Sequence, residues 1–250
     1  MYPVLFRLGD FEITSFGVLV AIAALVGIRL FRRELARSRL AHDAVDAAIA
    51  GVIGGLLGAK LLWVVEFLGE QPVTALLFSR GGLSWFGGLI GGIGTGLWML
   101  RRRRVPIVAA LAAATPALAV GHAIGRLGCF MVGDDYGRPS DLPWAVAFPE
   151  GLPPTDVPVH PTQLYEATLL LGIAWALMHW RRTNVPDNLV LGRYFVLAGS
   201  TRFVVEFIRV NAQVFGPFTL AQVISSVLVT IGIVMILRQR RCYSVALTKR

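Results

Sequence analysis

The sequence is poor in charged residues and in cysteine, and each shortage excludes a class of protein. Only 16% of its 250 residues are Asp, Glu, Lys or Arg, whereas soluble globular domains have roughly a quarter. Hydrophobic residues make up 55%, and the mean hydropathy is +0.65. The two cysteines, Cys129 and Cys242, are too few for a disulfide framework, and no His or Cys pattern has metal-ligand spacing. These features predict a membrane protein that needs no metal or other cofactor.

Acidic residues are also scarce, with 15 against 24 basic ones and a formal net charge of +9. A basic excess can indicate nucleic-acid binding, but no stacking or groove-reading motif accompanies it. The basic residues instead form short clusters between apolar runs, which is typical of membrane topology. We therefore expect no nucleic-acid partner. We also expect no cleaved signal peptide, because the first residues lack a basic start and a clear cleavage site.

Long apolar runs are the feature that the sequence has in abundance. A transmembrane helix needs about 20 mostly apolar residues. Seven runs approach that length, at about 15–33, 43–68, 82–100, 105–126, 163–180, 189–209 and 218–237. They predict an all-α polytopic membrane protein with seven transmembrane helices, built as a single membrane domain over residues 1–250.

The basic clusters follow every second apolar run. They occupy residues 32–39, 101–104, 181–182 and 238–250. The positive-inside rule assigns these connections to the cytoplasm. We therefore predict a multi-pass protein of the bacterial inner membrane, with a periplasmic N-terminus and a cytoplasmic C-terminus.

One long connection, about 127–162, is rich in Pro, Asp and Gly but contains Trp144, Val146 and Phe148. Long loops in compact proteins are usually functional or disordered. The apolar side chains favour an ordered periplasmic loop region.

Glycine recurs at short intervals in residues 51–60 and 86–96. Small residues allow helices to approach closely in lipid. The alternative interpretation is that these glycines make room for a lipid tail.

Polar side chains converge on the outer leaflet in this topology. Arg126 ends the fourth run, and Arg202, Glu206 and Arg209 share one helix face at i, i+4 and i+7. The planar guanidinium suits phosphate, and a phospholipid headgroup is the phosphate present at that depth. Carboxylates there could orient the arginines or accept a proton. The alternative is a structural ion-pair network. His160, in the loop, is either a proton carrier or a structural residue.

Four motifs, in this order, carry a resemblance to a known family. They are GGLSWFGGLIGG (81–92), GRLGCFMVGDDYGRPSDLPWAVAFP (125–149), HPTQLYE (160–166) and RFVVEFIR (202–209). Together they resemble the prolipoprotein diacylglyceryl transferase family. The resemblance implies seven transmembrane helices with the N-terminus outside. It also implies transfer of a diacylglyceryl group from phosphatidylglycerol to the lipobox cysteine of a preprolipoprotein, which forms a thioether and releases glycerol phosphate. Its partners would be phosphatidylglycerol and the signal peptides of preprolipoproteins in the bilayer.

By resemblance, Arg126 matches the arginine that contacts phosphatidylglycerol. Arg202 and Glu206 match an essential arginine of the family and its neighbouring carboxylate. Gly137 and Asp134 match further functional positions of the loop motif. With the spacing argument, three sets of site residues follow. The phosphatidylglycerol-binding set is Arg126, Arg202, Arg209 and Gly137. The catalytic set is Glu206, His160 and Asp134. The supporting set is Glu166, Arg138 and Gln163.

The chain departs from the family pattern at several motif positions. Phe86 replaces the usual third-helix histidine and Phe16 replaces a first-helix tyrosine. Cys129, Asp134 and Ala198 stand where asparagine, glutamate and tyrosine are expected. Since phenylalanine exchanges no protons, His160 or Glu206 could supply the base instead. Two alternatives stay open: a divergent paralogue acting on another lipid or acceptor, and a non-enzymatic lipid-binding or transport protein.

Overall fold

The computed structural model describes residues 4–8, 11–79, 82–211 and 213–248. Lys249 and Arg250 of the C-terminal basic cluster lie outside the described residues, as does the side chain of Cys242.

Eight helices lie within the described residues, and every predicted apolar run falls on one of the seven longer ones. They are α1 Ser15–Arg37, α2 Ala44–Glu66, α3 Val73–Phe78, α4 Trp85–Arg102, α5 Ile107–Val132, α6 Thr162–Arg182, α7 Asp187–Glu206 and α8 Leu220–Thr248. By length and composition, α1, α2, α5 and residues Leu220–Gln239 of α8 could each cross a membrane. The sequence did not predict α3, which has six residues and is too short to span a bilayer.

The protein is mostly helical, as predicted, but the described residues also form three antiparallel hairpins that the all-α prediction omitted: one before α1, one between α5 and α6 and one between α7 and α8. Their strands are β1 Val4–Leu8 with β2 Phe11–Thr14, β3 Val146–Phe148 with β4 Thr155–Val159, and β5 Gln213–Phe215 with β6 Phe218–Thr219. These segments are too short to form a stable helix of their own. The dipeptide Gly216-Pro217 separates β5 from β6, and a Gly-Pro dipeptide is a turn signal.

The described chain divides into two compact units, Met1–Gly27 with Leu111–Arg250, and Ile28–Ala110. In the first unit, small side chains of α5 pack against larger ones of α6 and α7. The buried cluster contains Ala112, Ala119, Ile173, Ala174, Leu177, Val190 and Leu191. This packing brings the C-terminal ends of α5 and α7 to the N-terminal end of α6. The expectation of a single domain stays a prediction.

In the second unit, glycines let α2 and α4 approach to backbone contact. A Cβ on Gly87 would overlap the carbonyl oxygen of Gly58, and one on Gly91 would overlap the carbonyl oxygen of Gly54. The packing interpretation of the glycines accounts for these positions.

We therefore expect Gly91→Ala to lower the free energy of unfolding by about 1–3 kcal/mol, because the added methyl group meets backbone that cannot move aside. Gly94→Ala is the matched control on α4, since a Cβ there meets nothing within 4 Å. Unfolding midpoints of the two variants in detergent test this expectation. Equal midpoints would contradict it.

Candidate functional site

Three helix ends in the first unit carry the charged side chains of the site. Arg126 lies in the last two turns of α5, and Glu166 lies in the first two turns of α6. Arg202 and Glu206 lie at the C-terminal end of α7, and Arg209 follows it. Helix α6 begins directly after Pro161, whose fixed φ suits the entry to a helix. The packing of α5, α6 and α7 therefore places arginines from two helices beside a carboxylate from a third.

Glu166 is the centre of the cluster, although its side chain is only 1% exposed. Its Oε2 lies 2.6 Å from Nε of Arg126 and 4.0 Å from Nη1 of Arg209, and its Oε1 lies 3.2 Å from Nη1 of Arg202. A buried carboxylate is tolerated only when it is paired. One carboxylate thus holds three guanidinium groups, whereas the sequence predicted only a supporting role for it.

Glu206 is a second buried carboxylate, with ion pairs at Oε2 and hydrogen bonds at Oε1. Arg202 Nη2 lies 3.0 Å and Arg209 Nε 3.6 Å from Oε2. Asn211 Nδ2 and Thr219 Oγ1 donate hydrogen bonds of 2.7 Å and 2.8 Å to Oε1. This arrangement suits a side chain that positions Arg202 and Arg209, and the catalytic role predicted for Glu206 stays a prediction.

Asp135 is a member of the cluster that the sequence did not predict. Its Oδ2 accepts a 2.7 Å hydrogen bond from Nη1 of Arg126. Its Oδ1 accepts a second hydrogen bond, from Nη2 of Arg209. Burial acts to raise the pKa of Asp135, but the guanidinium groups of Arg209 and Arg126 outweigh it and hold that pKa below its usual range. The signal that could have revealed it is the doubled acid Asp134-Asp135 within the loop motif.

Asp134 lies beside the cluster in a different environment. Its backbone oxygen accepts a 2.5 Å hydrogen bond from Nε2 of Gln163. Its Oδ1 is buried and has no hydrogen-bond partner among the described residues. Burial raises the pKa of Asp134 above its usual range, while a hydrogen bond with Cys129 acts in the opposite direction. Asp134 can therefore take up a proton more readily than an exposed aspartate.

Cys129, Asp134 and Asp135 also place three potential metal-ligand atoms within 4.8 Å of one another. Arg126 contacts two of them, with Nη1 at 3.8 Å from Sγ of Cys129 and at 2.7 Å from Oδ2 of Asp135. A guanidinium at this position repels a cation electrostatically. The expectation that the protein needs no metal stays a prediction.

His160 belongs to a separate hydrogen-bonded group. Its Nδ1 lies 3.3 Å from the hydroxyl of Tyr165, which accepts a 2.7 Å hydrogen bond from Nε1 of Trp144. Its backbone pairs with the loop, since its N–H donates to the Arg138 carbonyl and its carbonyl accepts from the Gly137 N–H. His160, Gly137 and Arg138 thus lie in the loop beside the cluster. Their predicted roles stay predictions.

Gly137 connects this loop to the helices through close contacts. A Cβ there would lie 2.8 Å from Thr162 Cγ2, 2.9 Å from His160 Cβ and 3.0 Å from the Ile208 oxygen. We expect Gly137→Ala to lower the free energy of unfolding by about 1–3 kcal/mol through overpacking. On α6, Gly172→Ala is the matched control, because a Cβ there meets nothing within 4 Å. Melting temperatures measured in detergent distinguish the two variants. An unchanged melting temperature for Gly137→Ala would refute the packing role of Gly137.

His122 is a further residue that the sequence reasoning missed. It lies one helical turn before Arg126 on α5, at the i, i+4 spacing that puts two side chains on one face. Its ring interacts electrostatically with Arg126, Glu166 and Arg202. The spacing to Arg126 was the available signal.

A family model described as prolipoprotein diacylglyceryl transferase matches residues 3–238. The chain belongs to the prolipoprotein diacylglyceryl transferase family. Membership in this family confirms the resemblance of the motifs and makes the chain a membrane transferase of lipoprotein biosynthesis.

Similar family members occur in several bacteria. A Geobacter sulfurreducens protein named phosphatidylglycerol–prolipoprotein diacylglyceryl transferase is 35% identical over 247 residues, which cover 93% of each chain. Proteins of the same name from Nitratidesulfovibrio vulgaris and Clostridium tetani are 32% and 30% identical. The matches cover 95% and 84% of this chain and 94% and 86% of those relatives.

Proposed function

We propose that this chain transfers a diacylglyceryl group from phosphatidylglycerol to the lipobox cysteine of preprolipoproteins. The observation that carries the proposal is the convergence of Arg126, Arg202 and Arg209 on the buried carboxylate of Glu166. In the reaction, the cysteine sulfur attacks the glyceryl carbon that bears the phosphate ester. The carbon–oxygen bond breaks, its electron pair leaves with glycerol phosphate, and the product is a thioether.

The arginines stabilise this reaction electrostatically. Negative charge grows on the leaving phosphate, and guanidinium groups already fixed around it need no reorganisation. Glu166 and Glu206 fix those groups, because each carboxylate contacts Arg202 and Arg209. In this proposal the arginines bind the phosphate and the two glutamates position the arginines.

The thiol must also lose its proton, because the thiolate is the nucleophile. Phe16 and Phe86 cannot accept it. Asp134 is the carboxylate that we propose for this step, because its Oδ1 is buried without a hydrogen-bond partner among the described residues. Glu206 Oε2 also lacks a hydrogen bond, but it lies in ion pairs with Arg202 and Arg209, and Glu206 Oε1 accepts two hydrogen bonds. His160 is bonded to Tyr165.

The topology completes the proposal. We propose that all seven long helices cross the bilayer, including the more polar α4, α6 and α7. The basic clusters then face the cytoplasm, the N-terminus faces the periplasm, and the cluster around Glu166 lies in the periplasmic leaflet. A preprolipoprotein would present its lipobox there through its membrane-inserted signal peptide.

A transfer assay tests the proposal. The purified full-length protein in proteoliposomes should add one diacylglyceryl group to a synthetic lipobox peptide when phosphatidylglycerol is present, as detected by mass spectrometry. A peptide with serine in place of the lipobox cysteine, and vesicles with phosphatidylethanolamine only, are the controls. Absence of the thioether product would reject the proposal. Phosphatidylglycerol binding without transfer would then favour a divergent paralogue with another acceptor.

A further inference from the structure

Asp135 differs from the other two carboxylates of the cluster in its exposure. Its side chain is 42% exposed, whereas those of Glu166 and Glu206 are 1% and 0% exposed. It nevertheless bridges two arginines, with one oxygen on Arg126 and the other on Arg209. Two guanidinium groups thus present N–H donors to a pair of oxygens on one accessible anion.

The charges of the six side chains that ion pairs join balance because Asp135 is one of them. Arg126, Arg202 and Arg209 contribute three positive charges, and Glu166, Glu206 and Asp135 contribute three negative ones. A neutral cluster offers little net attraction to an anion. Without Asp135 the remaining five groups carry one positive charge, which matches the single negative charge of a phosphodiester.

The backbone position of Asp135 allows its side chain to move away from the arginines. Helix α5 ends at Val132, and Asp135 follows three residues later with a φ of +61°. Aspartate adopts this left-handed conformation more readily than most residues. The side chain therefore projects from the turn after α5, and it can turn away from the arginines without unwinding a helix.

We propose that the carboxylate of Asp135 occupies the position at which the lipid phosphate binds, so that the two anions compete for Arg126 and Arg209. This inference rests on the proposed function and deepens it, because it names the phosphate position and the residue that limits affinity there. The non-ester oxygens of a phosphodiester present a similar pair of acceptors to the two guanidinium groups. Asp135 thus weakens phosphatidylglycerol binding, whereas Glu166 and Glu206 support it.

The test compares Asp135→Asn with the wild-type protein in full-length form in proteoliposomes of defined phosphatidylglycerol content. The KM for phosphatidylglycerol should fall roughly tenfold, because two partly exposed ion pairs no longer compete with the lipid. Inhibition by added glycerol phosphate should strengthen by a similar factor. Asp141→Asn is the matched control, because Asp141 is an exposed acid of the same loop and neither value should change.

A purely structural role for Asp135 predicts different results. If Asp135 only orients the arginines, its loss should raise the KM and weaken inhibition by glycerol phosphate, and this outcome would overturn the inference. Unchanged values would overturn it as well. Asp135→Ser provides a second variant with a small polar side chain. If neither variant folds, Asp135 is a structural residue and the inference is overturned.

A failure of the proposed function is distinguishable from a failure of this inference. If the wild-type protein forms no thioether, the proposed function is rejected. The inference is then decided by the rise in melting temperature on adding glycerol phosphate to detergent-solubilised protein. A larger rise for Asp135→Asn than for wild type supports competition, and an equal or smaller rise overturns it.

Discussion

Replacing Arg126 by alanine is expected to reduce thioether formation by roughly 100- to 1000-fold, the cost of losing one preorganised donor to a developing anion. Arg126 contacts both Glu166 and Asp135, at 2.6 Å and 2.7 Å. Its loss removes one of the two groups between which the phosphate is proposed to bind. Initial rates of peptide modification in proteoliposomes measure the effect, and size-exclusion chromatography shows whether the variant stays folded.

Arg126→Lys separates charge from geometry. Lysine keeps the positive charge but loses the planar fork, so we expect an activity between those of alanine and arginine. Arg103→Ala is the control, because Arg103 forms exposed ion pairs with Asp43 and Asp46 in the other compact unit. Wild-type rates for Arg126→Ala would remove Arg126 from the mechanism.

Replacing Glu166 by alanine is expected to cost about 3–5 kcal/mol of folding free energy, because buried charges lose their partner. Arg126, Arg202 and Arg209 all contact this carboxylate, and its loss leaves them to repel one another. The unfolding midpoint in detergent should fall steeply, and transfer activity should fall with it. Glu150→Gln, at an exposed site in the loop, should leave both unchanged.

Glu166→Gln tests the same contact with less disturbance. Glutamine keeps the shape and one acceptor oxygen but removes the charge, so the loss of stability should be smaller than for alanine. A variant with a normal midpoint and normal transfer would contradict the central place of Glu166.

The long helices could be predicted from the sequence because hydropathy and length are local properties. Every apolar run became a helix, but some helix ends lie outside the predicted bounds. Helix α5 reaches Val132 instead of 126, so Cys129 is a helical residue and not a loop residue. The short helix α3 and the hairpins escaped prediction, because elements of two to six residues carry too little periodicity to distinguish them from loop.

Part of the site could also be predicted, where the spacing along one helix was sufficient. Arg202 and Glu206 lie on α7 and pair with each other at the expected i, i+4 spacing. Arg209 was expected on the same helix face, but α7 ends at Glu206, and Arg209 joins the cluster from the segment after the helix. The central position of Glu166 depends on how α5, α6 and α7 pack, which no local pattern reveals. Asp135 reaches Arg126 and Arg209 only because the chain turns sharply after α5.

An experimental structure of the protein with phosphatidylglycerol bound tests the central claim most directly. The phosphate should lie within hydrogen-bonding distance of Arg126 and Arg209, with the Asp135 carboxylate turned away and Glu166 still paired with the arginines. A phosphate held elsewhere, with Asp135 still bridging the two guanidinium groups, would contradict the claim.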